Sequence, residues 1–126
     1  MSQKILSDLR RQVVQFLKEF TNCIDETDFI LKKRKINDET IIKLGYNRRQ
    51  IKDVFYTLTP DDYIDGPQID TLHGGSYWEF VKDIEDLVVY IKIKIHTRRD
   101  GTDLPYCYSF HESTNSTHDF PLVGLK

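Results

Sequence analysis

The run VVYIKIKIH, residues 88–96, sets branched aliphatic side chains against a phenol, two ammonium groups and an imidazole at a period of two. Successive side chains of a β-strand point to opposite faces. Val89, Ile91, Ile93 and Ile95 therefore share one face, and Tyr90, Lys92, Lys94 and His96 share the other. A strand of this pattern calls for an antiparallel sheet with one covered face and one open face.

Two further strand signals flank it, YWEFVK (77–82) and PYCYSFH (105–111). DIEDL reads as the turn between the first two, and TRRDGTDL, with its Asp-Gly pair, as the link between the second and third. The order predicts an antiparallel meander over residues 76–111. If each strand sends its apolar set to the covered side, Trp78 and Phe80 go inward with Tyr106, Tyr108 and Phe110. Glu79, Cys107, Ser109 and His111 are left opposite. Glu79, Tyr90, Lys92, Lys94, Ser109 and His111 then converge on the open face.

The residues before the sheet carry helical spacing. Ile5, Leu6, Leu9, Val13, Phe16, Leu17 and Phe20 recur every third or fourth position, which predicts an N-terminal helix over 1–22 with Ser2 as its cap. Residues 28–65 read as mostly helical. DFILKK is a short extended candidate, and NDETIIKLGY is a helix capped by Asn37 or Asp38 and stopped by Gly45. NRRQIKDVFYTL starts on Asn47 and buries Ile51, Val54, Phe55 and Leu58. In TPDDY, Thr59 caps, Pro60 takes the first helical position, and Asp61 and Asp62 complement the helix dipole. DGPQIDTLHGGSY reads as a long Gly- and Pro-rich loop. The tail, 112–126, packs back in part through Phe120, Leu122 and Val123.

The expectation is a single α+β domain over 1–126, with N-terminal helices on one face of a small antiparallel sheet. A length of 126 residues suits one core, and 39% hydrophobic content is that of a soluble globular chain. No apolar run nears the ~20 residues of a membrane span, and the charged, amphipathic N-terminus is unlike a secretory signal. The expected location is the cytoplasm. Cys23 and Cys107 lie far apart without ligand-spaced partners, so they read as two thiols rather than a disulfide or zinc site.

Net charge is only −2, which announces no global basic field for nucleic acid. The basic residues instead gather in LKKRK, NRRQIK and IKIKIHTRR, while TPDDYIDG concentrates acid. Each basic run alone reads as a solvated face. The open sheet face has the same bland reading, but its groups also match RNA cleavage. A base takes the proton of the 2′-OH, cations stabilise the phosphorane oxygens, and an acid protonates the leaving 5′-oxygen. Glu79 or His111 suits the base, Lys92 and Lys94 the electrostatic clamp, and His111 or Tyr90 the acid. His96, Arg98 and Ser109 suit substrate binding, Arg98 lying where a phosphate backbone would run. No metal-ligand spacing and no cofactor motif is present, so neither a metal nor a cofactor is expected. His73 and His118 read as solvated, and Trp78 as core.

The ordered set LGYNRRQIKDVFYTLTPDDYIDGP, YWEF, VYIKIKI and CYSFH, spanning roughly Phe29 to His111, resembles the MqsR-like toxins of type II toxin-antitoxin systems. The resemblance implies a RelE-like fold, a metal-independent mRNA interferase and a cognate antitoxin protein as partner. Products with a 2′,3′-cyclic phosphate and a 5′-hydroxyl are expected. It makes Tyr90 similar to the family's active-site tyrosine and Lys92 to the lysine two residues on. The best-known branch has glutamine where Glu79 stands and lysine where His111 stands. A further catalytic lysine of that branch falls at Ile64 or Asp65, so its role is lost or moved to Lys94. The expected catalytic set is Glu79, Tyr90, Lys92 and His111, with Lys94, His96, Arg98 and Ser109 binding substrate. The rival expectation is a non-catalytic module that grips RNA or a protein with the same face.

Overall fold

A computed structural model describes residues 2–115 and 117–125. The chain opens with α1, Gln3–Thr27, whose cap Ser2 accepts a hydrogen bond from the Ile5 backbone N–H as its hydroxyl position predicts. The helix runs past the expected end near residue 22. Thr21 and Asn22 are weak helix formers, but Cys23 and Ile24 continue the buried stripe of Val13, Phe16, Leu17 and Phe20. Packing thus outweighs local propensity. Asp28, at φ 69°, ends the helix.

A two-residue strand β1, Ile30–Leu31, follows, then α2, Lys35–Leu44, and α3, Arg48–Thr57. Asn47 caps α3 in a reciprocal capping box with Gln50, and Gly45 ends α2 in the left-handed region, both as expected. Asn37 and Asp38 do not cap α2; Arg34 holds that position, and Asn37 lies inside the helix, fully buried. A single 3-10 turn, Pro60–Asp62, is capped by Thr59.

The sheet holds five strands in the order β1-β5-β4-β3-β2, with β2 Tyr63–Ile69, β3 Ser76–Ile84, β4 Leu87–Thr97 and β5 Asp103–Glu112. β2 through β5 form an antiparallel meander, and β1 adds a parallel edge beside β5. The class is α+β, as read from the sequence.

Half of the expected loop over 65–77 is instead strand. Gly66 and Pro67 looked like breakers, but an edge strand tolerates Pro, and β2 pairs with β3 through two register shifts. Gly66, at φ 114°, brings the strand so near that a Cβ would stand 2.7 Å from the Tyr77 carbonyl oxygen.

One face of the sheet carries the core. Phe16 stacks on Trp78 with centroids 5.1 Å apart, and Phe55 meets Phe20, Phe29 and Phe110 edge-on. Phe80, Val89, Ile91 and Ile93 complete the sheet side. Ile51, Val54, Phe55 and Leu58 are all buried, as their spacing predicts. The tail packs back in part: Leu122 is fully buried in this core, Phe120 is half-buried, and the Leu125 carbonyl accepts from Arg10 Nε at 2.8 Å, but Val123, expected to pack with them, is exposed.

β5 departs from simple alternation. Lys92 pairs with Ser109, yet Ile93 pairs with Cys107, so Tyr108 is an extra residue in a β-bulge. The bulge reverses the faces of the strand's first half. Tyr106 pairs with Lys94 on the open side, and Cys107, expected there, sits in the core opposite Ile93 with its thiol pushed up by burial. Tyr108 also leaves the core side, its ring under the Arg34 guanidinium at 4.4 Å. Ser109, Phe110 and His111 keep their expected faces.

Helix α2 supports the bulge. The outer edge of β5 pairs with β1 at Tyr106 and Cys107. Beyond them Asn37 takes over, donating to the Tyr108 carbonyl at 3.1 Å and accepting from the Phe110 N–H at 3.0 Å. Thr40 Oγ1 then accepts from the Glu112 N–H at 2.7 Å. Two buried polar residues on one helix face thus satisfy a strand edge.

Candidate functional site

Strand pairing arranges the open face in rows. Glu79, Lys92 and Ser109 stand side by side on β3, β4 and β5, and Val81, Tyr90 and His111 form the next row. Ser109 extends the first row to Arg34, whose Nη1 donates to its Oγ at 2.7 Å. Glu79 and His111 sit on the two strands that flank β4. They approach Tyr90 from opposite sides, across two strand spacings of ~10 Å in all.

Tyr90 is the hub. Its hydroxyl donates to Oε1 of Glu79, and its ring lies 5.3 Å from the His111 ring. Burial, then the hydrogen bond to Glu79 and that carboxylate's charge, hold the phenol far above its ordinary value. Tyr90 therefore stays protonated and serves as a donor to the carboxylate. Glu79 is itself only 9% exposed, and its Oε2 is buried with no hydrogen-bond partner among the described residues. A buried carboxylate oxygen without a donor is costly unless something else supplies one.

His111 is also buried. Its Nδ1 faces the Glu112 carbonyl at 2.9 Å, a group that only accepts, so Nδ1 carries the hydrogen. In the neutral ring the lone pair is then on Nε2, the nitrogen available for proton exchange.

These three residues line a cavity of about 440 Å³, together with Ile64, Asp65 and residues 113–115 and 117–119. Its size lies in the range of small-ligand pockets, ~300–1,000 Å³. His118 borders it, with Nε2 2.7 Å from Ser113 Oγ. No family model matches this chain, and no curated protein or solved structure is significantly similar to it.

Lys92 is half-buried and makes no salt bridge among the described residues. Its ammonium lies 4.8 Å from the Tyr77 ring centre and 5.5 Å from that of Tyr108. This cation therefore retains its charge for a ligand. Lys94 differs. It is 2% exposed, and its Nζ donates to Asp70 Oδ2 at 2.8 Å and to the Gly74 carbonyl at 2.9 Å. Hydrogen bonds from Lys94 and from the backbone of His73 and Leu72 hold the Asp70 carboxyl well below the usual range. The Lys94 charge is already matched, and the side chain pins the 70–75 turn against the sheet.

His96 and Arg98 lie with Lys94 in a second cavity of about 430 Å³, farther along β4. The expected site residues therefore divide. Glu79, Tyr90 and His111 share one cavity; Lys94, His96 and Arg98 share another; Lys92 and Ser109 bridge them.

Sequence reasoning missed several contributors. Arg34 belongs to the LKKRK run, but nothing in the run distinguishes it from its neighbours. Tyr77 alternates with Trp78 onto the open side but carries no signal of a role, and Tyr106 and Tyr108 reach that side only through the bulge. Asp70 and His118 lie outside any periodic segment.

Proposed function

We propose that this protein is an mRNA endoribonuclease of the MqsR-like toxin type, acting in the cytoplasm, cutting without a metal and held in check by a cognate antitoxin protein. The observation that carries this reading is the carboxylate of Glu79 in the cavity lining, its Oε1 held by Tyr90 and its buried Oε2 without a partner among the described residues. A ribose 2′-OH supplies the missing donor, and Glu79 then takes its proton as general base. The 2′-oxygen attacks the adjacent phosphorus, and Lys92 and Arg34 balance the charge that grows on the phosphoryl oxygens. The P–O5′ bond breaks as protonated His111 delivers a proton from Nε2 to the 5′-oxygen. The products are a 2′,3′-cyclic phosphate and a 5′-hydroxyl.

Base and acid on opposite sides of one strand suit an in-line displacement, in which attacking and leaving oxygens are opposed. Tyr90, its phenol firmly protonated, orients Glu79 rather than donating to the leaving group. Lys94 contributes through the turn it holds.

End-labelled single-stranded RNA incubated with the purified chain in EDTA tests this reading. Cleavage with cyclic-phosphate ends is expected, with Glu79→Gln slower by ~10²-fold or more. Retained RNA affinity without any cut product defeats the enzyme reading and leaves the non-catalytic binding module.

A further inference from the structure

The two cavities of the open face have opposite chemistry. The first has Asp65, Glu79 and Asp119 in its lining and, among the described residues, no lysine or arginine. The second is lined by Lys32, His73, Lys94, His96 and Arg98, with Tyr77 and Tyr106, and by no carboxylate among the described residues. Asp70, behind the second, is already neutralised by Lys94. Lys32 and Arg98 are exposed at the rim. The Lys94 ammonium stands 5.1 Å from the Tyr77 ring centre and 5.8 Å from that of Tyr106, a buried cation between two aromatic walls.

This architecture has a definite cause. Tyr106 faces the cavity only because the bulge at Tyr108 reverses the first half of β5, and Asn37 holds that bulge. Half-buried tyrosines ringed by cations are the combination that single-stranded nucleic acid requires: π-faces for bases, positive groups for phosphates.

We propose that the second cavity is a nucleotide-binding subsite, which takes one unpaired base against Tyr77 and Tyr106 and the neighbouring phosphate on Lys32 and Arg98. It deepens the endoribonuclease reading and rests on it for the direction of the strand. The RNA runs along β4, bridged by Lys92, from the Glu79 and His111 cavity to this one. Tyr90 and His96 are six residues apart, a span of ~20 Å at the strand rise. Recognition and chemistry are therefore separated along one strand, and the segment bound at the far end is unpaired, since a duplex would withhold its base faces.

A short single-stranded oligodeoxynucleotide, which lacks the 2′-OH and so is not cut, serves as probe with the full chain. Binding is followed by fluorescence anisotropy over a range of salt. Tyr106→Leu is expected to weaken binding by about 10-fold. Lys32→Ala and Arg98→Ala, at exposed positions that leave the fold intact, should each lower the slope of log K against log salt by about 0.7. With cleavable RNA, the same variants should raise KM. Wild-type protein that fails to bind the probe, or variants that all bind it as wild type does, overturn the subsite. The two readings fail separately. RNA cut by the wild type with binding indifferent to these variants defeats the subsite alone. Probe binding that depends on them, in a protein that cuts no RNA, defeats the enzyme alone.

Discussion

Tyr90 illustrates how burial assigns a role that residue type leaves open. A phenol beside an imidazole suits a general acid, but burial and the adjoining Glu79 carboxylate hold its proton tightly. Its contribution is a charge-assisted hydrogen bond, worth ~1.5–3 kcal/mol. Tyr90→Phe should therefore slow RNA cleavage by ~10–10²-fold, while His111→Ala, which removes the acid, should slow it by ~10²-fold or more. Coupling separates the roles. If Tyr90 acts through Glu79, adding Tyr90→Phe to Glu79→Gln costs nothing further. A double variant slower than Glu79→Gln by the full Tyr90→Phe factor shows instead that Tyr90 transfers a proton itself. Single-turnover rates on one labelled RNA measure all four proteins.

At the scale of elements, the decisive contact is between α2 and the outer edge of β5. Asn37 makes three hydrogen bonds, to the carbonyls of Lys32 and Tyr108 and from the Phe110 N–H. Asn37→Ala leaves those backbone groups without their partner in a dry setting, at ~1–3 kcal/mol for each group that stays unsatisfied. A loss on the order of 3 kcal/mol in urea unfolding is expected. Binding of the oligodeoxynucleotide should weaken as well, because the bulge positions Tyr106. A variant as stable as wild type would show that the edge finds other partners. Alternation across β3 and β4 was readable because nothing interrupts those strands between Trp78 and Ile93, and it correctly gave Glu79, Tyr90 and Lys92 one face. In β5 the same logic put Tyr106, Tyr108 and Cys107 on the wrong faces. No Gly or Pro marks the insertion at Tyr108, and the residue that supports it lies 71 positions away.

In the molecule as a whole, one aromatic-rich core ties both ends of the chain to the sheet. Ser2 starts the helix that covers it, and Leu122, four residues from the C-terminal Lys126, is fully buried in it. The tail is fastened further by Arg10 at the Leu125 carbonyl and by Asp61 at the Gly124 N–H. Among the described residues no helix is long and apolar enough to cross a membrane. Leu122→Ala should cost ~2–5 kcal/mol, the range for truncating a buried leucine. A change below 0.5 kcal/mol, roughly the scatter of surface substitutions, would mean that the tail is only loosely seated.

Period-two alternation, helical spacing and capping residues are local properties of the backbone, so the sequence alone determined the meander, the caps of α1 and α3 and the open face around Tyr90. The bulge in β5, the length of α1, the pairing of β2 and the neutralising of Lys94 by Asp70 depend on groups distant in the chain. Each is decided by which partner satisfies a backbone edge, a buried surface or a charge, and only the folded arrangement brings those partners within reach.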